Sequence, residues 1–188
     1  MIIYIHGFSS SGKADKAEAF RRYCEQENIT YIAPSLPSNP DLAIETLSEL
    51  IEAFQKYESV SLIGSSLGGY YALYLSDKYN LKATLINPAV DASTTLEKAI
   101  GRAVHWYDNA SFEWNHKHVE ALESYEIEEP DMENLLVLLQ KGDEVLDYQE
   151  AFDILHEAKV ILEEGGNHGF VGIERHFKTI MTFLSEKH

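Results

Sequence analysis

The chain has 188 residues, a length that suits one domain with a single buried core. Apolar residues make up 45% of it and charged ones 24%, which excludes a disordered chain and a disulfide miniprotein. Lys and Arg number 15 against 31 Asp and Glu, and the resulting net charge of −16 repels phosphodiester backbones and anionic lipid surfaces, so no nucleic-acid partner is expected. The single cysteine, Cys24, can neither pair internally nor build a zinc site by itself, which fits a reducing compartment.

In chain order, residues 2–5 read as a first buried strand that runs straight into His6-Gly7-Phe8, without the basic start of a signal peptide. Ala17, Phe20 and Cys24 then recur at helical spacing, followed by a strand over residues 30–33 and a helical face of Ile44, Leu47, Ile51 and Phe54. A third strand, residues 60–63, leads into Gly64-Ser65-Ser66-Leu67-Gly68-Gly69 and a helix opening at Tyr70. The longest purely apolar run, Tyr70 to Leu75, is far below the roughly 20 residues of a membrane helix, so no membrane span is expected and the cytoplasm is the expected location. Further strands are expected at residues 83–86, 135–139 and 160–162, with a last helix through Ile173, Phe177, Ile180 and Leu184.

This alternation predicts an α/β fold. It consists of about six strands in a mostly parallel sheet, helices on both faces, and function in the loops at the carboxyl ends of the strands. Residues 1–188 are expected to form one domain. Residues 90–131 break the rhythm and read as a cap-like insertion of short helices and turns over the carboxyl edge, carrying Trp106, Tyr107, Phe112 and Trp114.

Gly64-Ser65-Ser66-Leu67-Gly68 is G-x-S-x-G between a strand and a helix, the setting in which a tight turn exposes a serine hydroxyl above the sheet. Ser66 is the candidate nucleophile. A base is required, and His168 lies on a loop of small residues between the last strand and the last helix, whereas His156 and His176 fall within helical patterns. The acid should follow the preceding strand, where Asp143, Glu144 and Asp147 compete. Asp147, with Glu150 three residues on, reads as a helix cap, which leaves Asp143 as the preferred acid. The backbone N–H groups of Phe8 and Leu67 are the candidate oxyanion hole, and His6 reads as a hydrogen-bonding support for its loop. Ser9-Ser10-Ser11-Gly12-Lys13 lacks the spacing of a phosphate loop, and no motif gives His105, His116 and His118 a metal geometry.

Tyr4-Ile5-His6-Gly7-Phe8, Gly64 to Ala72, Asn87-Pro88-Ala89-Val90, Gly142 to Tyr148 and Glu164-Gly165-Gly166-Asn167-His168 together resemble the YqiA-like bacterial esterase family of the α/β-hydrolase superfamily. The resemblance spans nearly the whole chain. It implies a compact α/β hydrolase that cleaves carboxylic esters or thioesters of small-molecule acyl substrates, with Ser66, Asp143 and His168 as triad and with neither metal nor organic cofactor. The alternative is a catalytically minor hydrolase-like module that binds another protein.

Overall fold

Apolar runs too short for helices are stable when both faces of a strand are covered, and the chain supplies them between amphipathic helices. The computed structural model describes residues 1–186. The chain runs through β1 (Ile2–Ile5), α1 (Asp15–Gln26), β2 (Tyr31–Ile32), α2 (Pro40–Phe54), β3 (Ser61–Ser65), α3 (Leu67–Tyr79) and β4 (Ala83–Ile86). There follow α4 (Ala92–Glu97), β5 (Gly101–Val104), β6 (Ser111–Trp114), α5 (His116–Glu123), β7 (Leu135–Gln140), α6 (Tyr148–Leu155), β8 (Lys159–Glu163) and α7 (Phe177–Ser185).

Six strands pair in the order β2-β1-β3-β4-β7-β8, every neighbouring pair parallel. Alternate residues divide the core into two layers. Ile3, Ile5, Leu62, Leu85, Val137 and Leu139 meet α2, α3 and α6 on one face. Ile2, Tyr4, Ile63, Ile86, Leu136 and Leu138 meet α1 and α7 on the other. No helix among the described residues is long and apolar enough to cross a membrane.

Residues 90–131 correct the sequence reading. They hold α4 and α5, as expected of short helices, but between them β5 and β6 form an antiparallel hairpin. Four-residue strands leave little periodicity to detect, although Phe112 and Trp114 already stand two apart, as they must to share a strand face. Trp114 is completely buried, its indole N–H donating to the Leu96 carbonyl at 2.9 Å. Phe8 packs edge-on against Phe112 and Trp114, with ring centroids 5.7 and 5.0 Å away. The Trp106 amide donates to the Ser9 carbonyl at 3.0 Å, which ties the hairpin to the loop after β1, while the Trp106 side chain is 82% exposed.

These surroundings separate the two tryptophans. Trp114→Ala is expected to cost about 3–5 kcal/mol, because the cavity lies among residues that cannot collapse into it. Trp106→Ala is expected to change stability by no more than about 0.5 kcal/mol. Denaturant midpoints of both variants check this, and equal losses would contradict the assignment of Trp114 to the core.

Candidate active site

The turn from β3 into α3 is tight enough that two of its positions exclude any side chain. A Cβ on Gly64 would lie 2.1 Å from the Gly68 carbonyl oxygen, and one on Gly68 would lie 2.1 Å from that of Ile5. Between them Ser66 takes φ 57° and ψ −123°, a conformation that strains a non-glycine residue by about 1–3 kcal/mol. Its carbonyl offsets part of that by accepting from the amides of Gly69, Tyr70 and Ala89 at 2.8, 3.3 and 3.1 Å. The result is a hydroxyl standing at the start of α3, above the carboxyl edge of the sheet.

Residues 25 to 102 positions apart in sequence meet there. The loop after β8 brings His168 Nε2 to 3.0 Å from Ser66 Oγ. Its Nδ1 lies 2.8 and 3.0 Å from the two oxygens of Asp143, on the loop after β7. A carboxylate at Nδ1 requires that nitrogen to donate, so Nε2 carries the lone pair and accepts from the serine hydroxyl. Asp143 also accepts from the Val145 and Leu146 amides, both at 2.9 Å. Burial pushes its carboxyl up, but the hydrogen bonds from His168, Leu146 and Val145 outweigh this and hold it below the usual range. The competing carboxylates lie elsewhere: Asp147 caps α6 by accepting from the Gln149 amide at 2.9 Å, and Glu144 accepts the His168 backbone amide at 3.0 Å.

The amides of Phe8 and Leu67 donate to no loop or turn carbonyl among the described residues. His6 is buried beneath the Phe8 loop. Its Nδ1 donates to the Gly7 carbonyl at 2.8 Å and its Nε2 accepts from the Leu36 amide at 2.9 Å, which requires a neutral ring, and burial lowers its basicity accordingly. Beside these amides lies a hollow of about 20 Å³ bordered by Phe8, Leu36, Pro37, Leu67, Tyr71 and His105. Trp106, Tyr107, Phe112 and Trp114 do not border it, and of the candidate site residues only Phe8 and Leu67 do. A larger hollow of about 930 Å³ opens at the opposite, amino edge of the sheet, around Met1, Val60, Leu81 and Met181, and none of the triad candidates borders it.

Three residues to which sequence reasoning gave no role hold this arrangement. Asn87 donates from Nδ2 to the Asn167 and His168 carbonyls at 3.0 and 3.2 Å. Gln140 accepts on Oε1 from the Asn167 and Val171 amides at 3.1 and 2.9 Å, while its own amide donates to Asn87 Oδ1 at 3.0 Å. Two buried carboxamides thus clamp the histidine loop from both sides. Gln140 betrays itself only as the polar end of the otherwise apolar run Leu135–Gln140. Lys16, on α1, extends its ammonium to Ser65 Oγ at 2.7 Å, directly before Ser66 in the chain. Its signal is a place four residues before the buried Phe20, on the inward face of α1.

Glu163 anchors the base of the histidine loop, bonding Arg175, the Gln140 carboxamide at 2.8 Å and His176 Nε2 at 2.8 Å. Arg175, ahead of opposing desolvation and with help from Gln140 and His176, lowers its carboxyl to about 2. A folded-state value below the unfolded value of about 4.3 means the stabilisation is complete above the latter and is lost as pH falls towards about 2. Glu163→Gln is therefore expected to be less stable than the parent at neutral pH and to lose less between about pH 4.5 and about pH 2. Unfolding midpoints through that window test it; parallel curves for the two proteins would contradict it.

The fold has relatives of known structure. Alpha/beta hydrolase domain-containing protein 10 from mouse superposes with a TM-score of 0.76 at 17% identity, over 97% of this chain and 88% of that one. Est1E from Butyrivibrio proteoclasticus, solved with ferulic acid bound, gives 0.73 at 12% identity, over 97% and 87%. The fold is that of the α/β hydrolases. Among sequences, a UPF0227 protein of Serratia proteamaculans is 27% identical over 187 residues, 97% of this chain and 98% of the relative, and one of Klebsiella pneumoniae is 24% identical over 186. The expected YqiA-like kinship holds at family level, for with residues 1–185 matched the chain belongs to the uncharacterised protein family UPF0227.

Proposed function

We propose that this protein is a serine hydrolase of carboxylic esters or thioesters. The observation that carries the reading is the unbroken chain from Ser66 Oγ through His168 to Asp143, with contacts of 3.0 and 2.8 Å, beside two amides free to receive an oxyanion. Ser66 Oγ attacks the acyl carbonyl carbon while His168 Nε2 takes its proton, and the carbonyl electrons move onto oxygen, facing the Phe8 and Leu67 amides. Collapse re-forms the carbonyl and expels the alcohol or thiol, which receives the proton from Nε2. Water, activated by the same nitrogen, then attacks the acyl-enzyme, and the carboxylic acid leaves as the proton returns to Ser66. Asp143 stays ionised throughout, holding Nδ1–H and stabilising the imidazolium.

The dimensions of the site favour a compact acyl group. One water-sized sphere occupies about 10–15 Å³, so a hollow of about 20 Å³ beside the oxyanion amides accommodates an acetyl methyl and little more without rearrangement. A net charge of −16 further disfavours large anionic leaving groups. The leaving group would face solvent, which His168 reaches with 23% of its side-chain surface exposed.

The test is turnover of two-, four- and eight-carbon p-nitrophenyl esters by the parent and by Ser66→Ala. The parent is expected to prefer the shortest ester, and the variant to lose at least about a thousandfold in kcat while keeping its fold. Absence of hydrolysis from the parent, or turnover by Ser66→Ala within about tenfold of it, would overturn the reading.

A further inference from the structure

The proposed chemistry leaves unused a partly buried lysine beside the Ser66 turn. Lys16 crosses from the first turns of α1 to the carboxyl end of β3, where its ammonium is enclosed and donates to Ser65 Oγ at 2.7 Å. A buried ammonium without a carboxylate in direct contact is costly, and a methionine of similar length would fill the same volume more cheaply. Ser65 is itself buried, is the last residue of β3 and immediately precedes the strained Ser66. Its own position is set by β4, opposite Ile86. Lys16 therefore fixes the side chain on the one strand residue whose displacement moves the nucleophile directly.

The charges around it are few and placed unevenly. Tyr4, on β1, meets the Ser65 hydroxyl from within the same layer and is held neutral by burial. A cleft of about 280 Å³ beside Lys16 is lined by Asp15, Glu18 and Arg22 of α1 and by Glu174 beyond β8, and Glu18 is engaged by Arg21 at 3.1 Å. The triad side contributes the Asp143 carboxylate, close enough to favour the charged ammonium, and beyond it His168. Burial, opposed by Asp143, lowers the Lys16 ammonium to about 8.

We propose, resting on the hydrolase reading above, that Lys16 is a positioning residue for the hydrolytic triad. Its charged ammonium holds Ser65, and through it the nucleophile turn, on the side of the sheet facing away from the substrate. An uncharged amine donates a weaker hydrogen bond than an ammonium, so the hold slackens as Lys16 loses its proton.

The test is the kcat and KM of the parent, Lys16→Met, Lys16→Arg, Ser65→Ala and the double variant for p-nitrophenyl acetate between about pH 6 and about pH 10. In Lys16→Met, kcat at neutral pH should fall about tenfold with KM within about twofold, the signature of a misplaced reacting group rather than lost binding. The parent's kcat should decline through about pH 8 towards the Lys16→Met level, and Lys16→Met itself should show no such decline. Lys16→Arg, which stays charged, should recover most of the neutral rate and lack the decline. Ser65→Ala should match Lys16→Met, and combining the two should cost no more than either alone, as expected of residues acting through one contact. If the parent hydrolyses esters but Lys16→Met retains its kcat within about twofold, or merely melts earlier, the inference fails alone. If Lys16→Met does not fold, a parent profile flat through about pH 8 together with full activity in Ser65→Ala overturns it. A parent that hydrolyses no ester and is not labelled by a fluorophosphonate instead overturns the hydrolase reading, and this inference with it.

Discussion

The candidate site depends on α3 approaching β1 and β3 at backbone contact. Gly68 stands where any Cβ would overlap the Ile5 carbonyl, and Gly64 where one would overlap Gly68. Only that closeness lets the chain reverse from strand to helix within a single residue, and the reversal is what pushes Ser66 out of the sheet and into a positive φ. The strain is sustained by the three amides that converge on its carbonyl and by apolar layers on both faces of the strands. The same geometry leaves the first amide of α3, that of Leu67, without a helical partner directly after Ser66.

The other half of the site is held by a different kind of force. The segment between β8 and α7 has little regular structure, and its path is dictated by Asn87 and Gln140, whose side chains satisfy backbone groups 27 to 81 residues away. A buried carboxamide that loses its partners costs more than the bond it made, so these clamps favour one loop position over its neighbours. Glu163 extends the clamp outward to Arg175 and His176. Apolar packing thus places Ser66, polar satisfaction places His168, and the two meet over a single 3.0 Å contact.

That division explains what the sequence discloses. Strands buried on both faces leave continuous apolar runs, and all six sheet strands are expected from such runs, although β2 shrinks to Tyr31–Ile32 and the edge strand β8 is only partly buried. The turn at Ser66 is legible because steric exclusion demands glycine at fixed spacing. Asp143 emerges by elimination once Asp147 is recognised as a cap, a distinction that rests on one residue's spacing from a helix. The β5–β6 hairpin is hidden because four-residue strands with alternating exposure resemble loop sequence. Gln140 and Lys16 are hidden for a deeper reason. A glutamine closing a strand and a lysine in an amphipathic helix ordinarily face water, and what buries them is a partner 27 or 49 residues distant.

The account stands or falls on a covalent bond at one oxygen. Brief exposure to an activated acetyl ester, acid quenching and peptide mapping by mass spectrometry should find the acetyl group on Ser66, in a protein that turns over the ester. The adduct should vanish in Ser66→Ala and form far more slowly in His168→Ala, which leaves no base to take the serine proton. An acyl group carried by another residue in a protein that hydrolyses the ester, or turnover that persists in Ser66→Ala, would contradict the assignment of Ser66 as nucleophile.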